Sequence, residues 1–240
     1  MSTDKKFKRL PTVTTPTGAF RYPKLTEIDY GTKEYPSKDG NYNVRLVLTA
    51  EEAAPLIAEL TPLYEQAIVE GKEQFAALKI DTRKKLEKKN GKEGIDVNPL
   101  YTELFDEETE QPTGNLEFKF KMKAGGEKRK GGRWSRKPGI FDAKGAPFPR
   151  GVDIWGGSTG KVAFEPRPYF IPASGAVGLG LGLEAVQIIS LVGPGMKSAD
   201  SYGFAEEEGL DATTLEVPVA EAIEEAGVDA ETADADGHDF

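Results

Sequence analysis

Between Lys119 and Lys137 the chain carries nine basic side chains against one acid. The cations are Lys119, Lys121, Lys123, Lys128, Arg129, Lys130, Arg133, Arg136 and Lys137; the acid is Glu127. That density suits a polyanion. Each phosphate neutralised releases counterions, with a log–log salt slope of roughly −0.7 per phosphate for a single strand. Glycines at 125, 126, 131 and 132 make the segment able to fold around a flexible ligand. Trp134 lies inside it, between Arg133 and Arg136, with little prospect of core burial. An exposed ring offers a face to any base, and stacking contributes about 1–3 kcal/mol per base. Trp155, beside the Gly156-Gly157 turn, and Phe141, Phe148, Tyr169 and Phe170 are further candidate rings, with Arg167 as a further cation. A solvated loop is the plainer reading of the cations, and core burial competes evenly for Trp155. Phe118 and Phe120 are read as core.

Enzymatic chemistry finds less support. The sequence has no cysteine and one histidine, His238. Thiolate metal sites, histidine-based zinc sites and His-assisted nucleophilic catalysis therefore lack their residues. Gly156-Gly157-Ser158-Thr159-Gly160-Lys161 has the look of a phosphate loop, yet Trp155 replaces the first glycine and Val162 the required Ser or Thr. Gly178, Gly180 and Gly182 form G-x-G-x-G with no βαβ unit around them. Asp142-Ala143-Lys144 matches the D-x-K element of a metal-dependent nuclease, with Asp153 or Glu165 as a further magnesium ligand, but the pattern is common by chance. A third reading is a chaperone or assembly protein with an acidic tail; Trp134 among cations argues against it. The expectation is a protein with no catalytic residue, no metal and no cofactor.

The elements that must position these residues read as mainly β. Two regions differ in charge: residues 204–240 hold thirteen acids and no base, while the rest of the chain holds 31 bases and 27 acids. A mildly basic domain over residues 1–199 and a disordered acidic tail over 200–240 are expected. The polar arm to about Thr17 is expected to be mobile. Strand runs follow at Ala19–Tyr22, Leu25–Tyr30 and Tyr42–Leu48, the last alternating apolar Val44, Leu46 and Leu48 with Asn43, Arg45 and Val47. Thr49-Ala50-Glu51-Glu52 is a capping box that opens a helical insertion over about 50–90, which Pro62 and Gly71 are expected to break. Asn98–Gly114 reads as an acidic loop. In Leu116–Met122, Leu116, Phe118, Phe120 and Met122 share one face, and Glu117, Lys119, Lys121 and Lys123 the other. Later strands are expected at Gly139–Phe141, Gly151–Trp155, Lys161–Phe164, Tyr169–Ile171 and Ala176–Val192. The last changes phase, which predicts a bulge near Glu184–Ala185. Short strands, glycine-rich connections and a helical insertion suit a partly open barrel of the OB-fold kind, with a β-sandwich as the alternative.

Arg167-Pro168-Tyr169-Phe170-Ile171, the run from Gly178 to Gln187, and the acidic tail ending in Phe240 resemble the single-stranded DNA-binding proteins of T7-like and related phages. The resemblance implies an OB-fold body that coats single-stranded DNA during phage replication, recombination and repair. It implies the cytoplasm of the infected bacterial host as the place of action, with no membrane partner, and leaves a homodimer open. It also implies that Asp234, Asp236, Asp239 and Phe240 dock on the replicative DNA polymerase and helicase-primase. Unbound, such a tail would compete with DNA for its own basic groove. Alanines dilute this tail and His238 interrupts its end, so the family's partner does not transfer automatically.

Overall fold

A computed structural model of the chain describes residues 11–106, 108–128 and 131–193. Eleven strands and two helices follow in chain order: β1 Val13–Thr14, β2 Gly18–Gly31, β3 Pro36–Thr49, α1 Ala50–Ala76, α2 Ile80–Asn90, β4 Asp96–Val97, β5 Thr102–Phe105, β6 Pro112–Lys123, β7 Gly125–Glu127, β8 Arg133–Ser135, β9 Gly139–Phe141, β10 Thr159–Ile171 and β11 Ala176–Ser190. Five of them close into a barrel in the order β2-β3-β6-β11-β10 and back to β2. The β6–β11 seam is parallel and the others antiparallel. The β6–β11 and β10–β2 seams carry only two register pairs each, so the barrel is partly open, as expected.

Alternation decides which face of each strand turns inward. Phe20, Val44, Leu46, Leu48, Phe118, Phe120, Met122, Val162, Phe164, Leu181 and Leu183 fill the interior. Phe120 and Phe164 meet at 5.0 Å between ring centroids. Thr49 caps α1 through the full capping box, and Ala53, Leu56 and Leu60 lie against the barrel core.

Several expectations need correction. Pro62 and Gly71 do not break the helix: α1 is continuous over 27 residues and contains both, as well as Pro55. The prolines face solvent, where water can serve the carbonyls they leave without a donor, and burial of the opposite stripe outweighs their propensity. Gly71 lets the helix approach β11, since a Cβ there would collide with Val177. The acidic segment Asn98–Gly114 contains β5, which pairs with β6. Gly151–Trp155 is loop, and Lys161–Phe164 and Tyr169–Ile171 belong to one long strand, β10. The arm is pinned from Val13, which pairs with Phe164 of β10, while Thr15 accepts a hydrogen bond from the Val162 N–H; residues 1–10 lie outside the described residues. The bulge stands where the phase change placed it. Ala163 faces Ala185 and Phe164 faces Leu183, which leaves Glu184 as the extra residue.

Candidate nucleic-acid interface

The outward positions of three adjacent barrel strands form one cationic surface. Register sets Arg21 of β2 opposite Arg45 of β3, and Arg45 opposite Lys119 of β6. The next row is Lys24, Asn43 and Lys121, and Asn41 faces Lys123. Lys119, Lys121 and Lys123 are exposed. At the edge of the surface Tyr22 has φ +48°, in the left-handed region that a bulky residue rarely occupies. The cause is local: β2 takes three steps from Arg21 to Lys24 while β3 takes two from Arg45 to Asn43, so an extra residue bulges out. The ring is thrown outward, 64% exposed, with the guanidinium carbons of Arg21 and Arg45 at 5.3 and 5.4 Å from its centroid. Both arginines also donate to Glu117, at 3.1 and 2.9 Å.

Across a groove from Tyr22 stands Trp155, 47% exposed on the loop before β10. Phe20 to Pro23 and Ile154 to Gly157 line this groove, which encloses about 380 Å³. Hydrogen bonds from the Phe20 N–H to Ser158 O and from the Gly157 N–H to Phe20 O fix the loop against β2. Two exposed rings, a guanidinium and a cleft roomy enough for a nucleobase thus share one site beside a cationic sheet.

The chain from residue 17 to residue 191 matches the family described as "Single-stranded DNA-binding protein, Bacteriophage T7". The chain belongs to this family. Single-stranded DNA binding is accordingly its function at the coarsest level, and its barrel is the family's fold. The solved structure of gp2.5, a single-stranded DNA-binding protein encoded by bacteriophage T7, is similar with a TM-score of 0.55 and 22% identity, over 85% of this chain and 100% of that one. A single-stranded DNA-binding protein from bacteriophage Enc34, solved in complex with ssDNA, gives a TM-score of 0.45 and 15% identity over 77% of this chain and 89% of that one. No curated protein matches.

The other sequence-predicted residues of this family member fall into three groups. The first belongs to a small hairpin of β7 and β8 that continues from β6. There Trp134 is half-buried across Gly126, with Arg136 over its ring at 5.6 Å. Arg133 pairs with Asp39 at 2.7 Å and Glu127 with Lys38, which ties the hairpin to the start of β3. Arg136 donates to the Lys123 carbonyl and lies 4.0 Å from Glu184. Lys128 and Lys137 are exposed, and Arg129 and Lys130 lie outside the described residues. The second group lies over the glycine stripe of β11. Arg167 pairs with Glu165 and Glu184, and a Cβ at Gly182 would meet its guanidinium at 2.7 Å. Tyr169, at the far end of β10 from Trp155, accepts a hydrogen bond from Asn98 at 2.6 Å, and the Tyr64 hydroxyl donates to Asn98 O. Burial, with Tyr169 beside it, raises the Tyr64 pKa above its ordinary value. Side chains from β10 thus cover the stripe. Phe141 forms the third group, half-exposed on β9 against β11 beside Lys161. Asp234, Asp236, Asp239 and Phe240 lie outside the described residues.

The residues of the nuclease reading are engaged by other partners. Asp142 accepts from the Lys144 and Ala146 N–H groups in a turn, Asp153 accepts from Thr26, and Glu165 is engaged by Arg167. Among the described residues no group of three carboxylates or other ligands could hold a metal ion. Among them, too, no helix is long and apolar enough to cross a membrane.

Sequence reasoning missed Arg21, Tyr22 and Arg45. Alternation in β3 does put Arg45 on the outer face, but only the register of β2 on β3 brings Arg21 to it. The one available signal for Tyr22 was a tyrosine directly before Pro23 inside a strand run.

Proposed function

We propose that this chain coats and protects single-stranded DNA during phage replication, recombination and repair, with the strand lying across the outer face of β2, β3 and β6. Phosphates take Arg21, Arg45, Lys119, Lys121 and Lys123. Bases stack on Tyr22 and Trp155. The β7–β8 hairpin, with Lys128, Arg133, Trp134, Arg136 and Lys137, extends the contact along the strand, and the cations Arg129 and Lys130, outside the described residues, add to its charge. The observation that carries this reading is the pairing of Tyr22 and Trp155 on one groove beside that cationic sheet. Stacking tolerates any base and phosphate contacts carry no sequence, so little sequence preference is expected. The acidic tail, through Asp234, Asp236, Asp239 and Phe240, recruits the replicative polymerase and helicase-primase, and the protein acts in the cytoplasm of the infected host. Single- and double-stranded oligonucleotides titrated at two salt concentrations test the ligand. The single strand is expected to bind more tightly and to weaken as salt rises. Trp155→Ala is expected to weaken it about tenfold or more. A protein that ignores oligo-dT at low salt removes the reading.

A further inference from the structure

We infer that Glu117 is the positioning residue of this interface: it fixes Arg21 and Arg45 against Tyr22, so that base stacking adds to phosphate attraction. The inference rests on the outer face of β2, β3 and β6 being the single-strand site.

Glu117 is out of place by charge. It stands on the outward row of β6 directly before Lys119, Lys121 and Lys123. A carboxylate on a surface meant for phosphates lowers their attraction, so its presence needs another reason. Its geometry supplies one. Glu117 is 8% exposed, and its two oxygens accept separately, Oε1 from Arg45 at 2.9 Å and Oε2 from Arg21 at 3.1 Å. Arg21 and Arg45 are direct cross-strand partners, a placement in which like charges repel. The carboxylate between them relieves that repulsion and takes one N–H group from each. A guanidinium has five donors, so both keep others for phosphate.

The arginines in turn hold Tyr22. Both guanidinium groups lie within the roughly 6 Å over which a cation is attracted to a ring face. The tyrosine hydroxyl accepts only a long contact, 3.5 Å, from Arg21. Tyr22 is 64% exposed, and both arginines lie against its ring. Positioning thus passes from a buried carboxylate through two cations to an exposed aromatic face. The ordered ring meets a base without first losing rotamer freedom.

Two ligands separate this role from simple charge compensation. An abasic oligonucleotide offers phosphates alone; oligo-dT of the same length offers phosphates and bases. Affinities for both are measured with the full chain at one salt concentration. Glu117→Gln keeps shape and removes charge. Its affinity for the abasic strand is expected to hold or rise, because a negative charge is gone. Its affinity for oligo-dT is expected to fall, so that the preference for oligo-dT shrinks about tenfold, the size of one stacked base. Tyr22→Leu is expected to shrink the preference equally, and Glu117→Gln is expected to add nothing in that background. Parallel increases in both affinities, with the preference intact, overturn the proposal. So does an additional loss in the double variant. Should Glu117→Gln unfold, Glu117→Asp keeps the charge with a shorter reach. It is expected to lose part of the preference, and an unchanged preference overturns the proposal. If the unaltered protein binds neither oligonucleotide, the site assignment falls and the role of Glu117 with it; if Tyr22→Leu loses the preference for oligo-dT while the Glu117 variants keep it, the site stands and the positioning role alone is lost.

Discussion

A tyrosine with φ +48° just before a proline is costly: such a backbone strains a non-glycine residue by about 1–3 kcal/mol. Little burial compensates at Tyr22, because most of its side chain faces solvent. The strain therefore calls for a reason other than stability, and base contact in the groove shared with Trp155 is the one proposed. Tyr22→Gly separates the two effects. Glycine adopts this conformation freely, so the fold is expected to gain up to about 1 kcal/mol in urea denaturation. Affinity for oligo-dT is expected to fall about tenfold, the loss of one stacking surface. A variant that is stabilised and still binds normally would remove Tyr22 from the interface. Trp134 occupies a different setting, against Gly126 and with Arg136 over one face of its ring, so that face is already in use.

Elements rather than single residues decide how much of this was legible beforehand. The alternation in Leu116–Met122 needs only period two to assign Phe118 and Phe120 to the core and the lysines to the surface, and the barrel agrees. The Thr49 capping box works within four residues and is equally local. The bulge at Glu184 was readable because it leaves a phase change in the apolar pattern. Pairing between distant strands is not local, and there the sequence was silent. The arrangement of Arg21, Arg45 and Glu117 joins residues 72 and 96 positions apart. Proline and glycine misled for the same reason, since their helix penalties are intrinsic while the packing that outweighs them is tertiary. Gly71 makes that argument testable. In an exposed helix Gly71→Ala would stabilise by about 1 kcal/mol. Here the added Cβ meets Val177 and must push α1 away from β11, so a net loss of about 1–2 kcal/mol is expected in thermal or urea unfolding. A gain in stability would mean that α1 sits less closely on the barrel than the structure places it.

For the whole molecule the decisive quantity is how charge is divided along the chain. Thirteen acids without a base occupy residues 204–240, and their removal takes the net charge from −9 to +4. The same polypeptide thus carries a cationic sheet and a polyanion attached to it. A flexible connection would keep the two at an effective concentration of the order of millimolar, and a self-contact with a dissociation constant near 0.1 mM would then occupy the sheet most of the time. On that expectation single-stranded DNA would have to displace the tail before it binds. Deleting residues 204–240 is expected to leave the barrel folded and to tighten oligo-dT binding about tenfold at low ionic strength. The gain is expected to shrink as salt rises, because the Debye length falls to about 8 Å at physiological ionic strength and exposed charges cease to attract at a distance. A peptide spanning residues 204–240, added separately, is expected to weaken binding by the truncated protein only at far higher concentration, since it has lost its tether. Unchanged or weaker binding after truncation would show that the tail never occupies the sheet, and would leave its acids to act solely on other proteins.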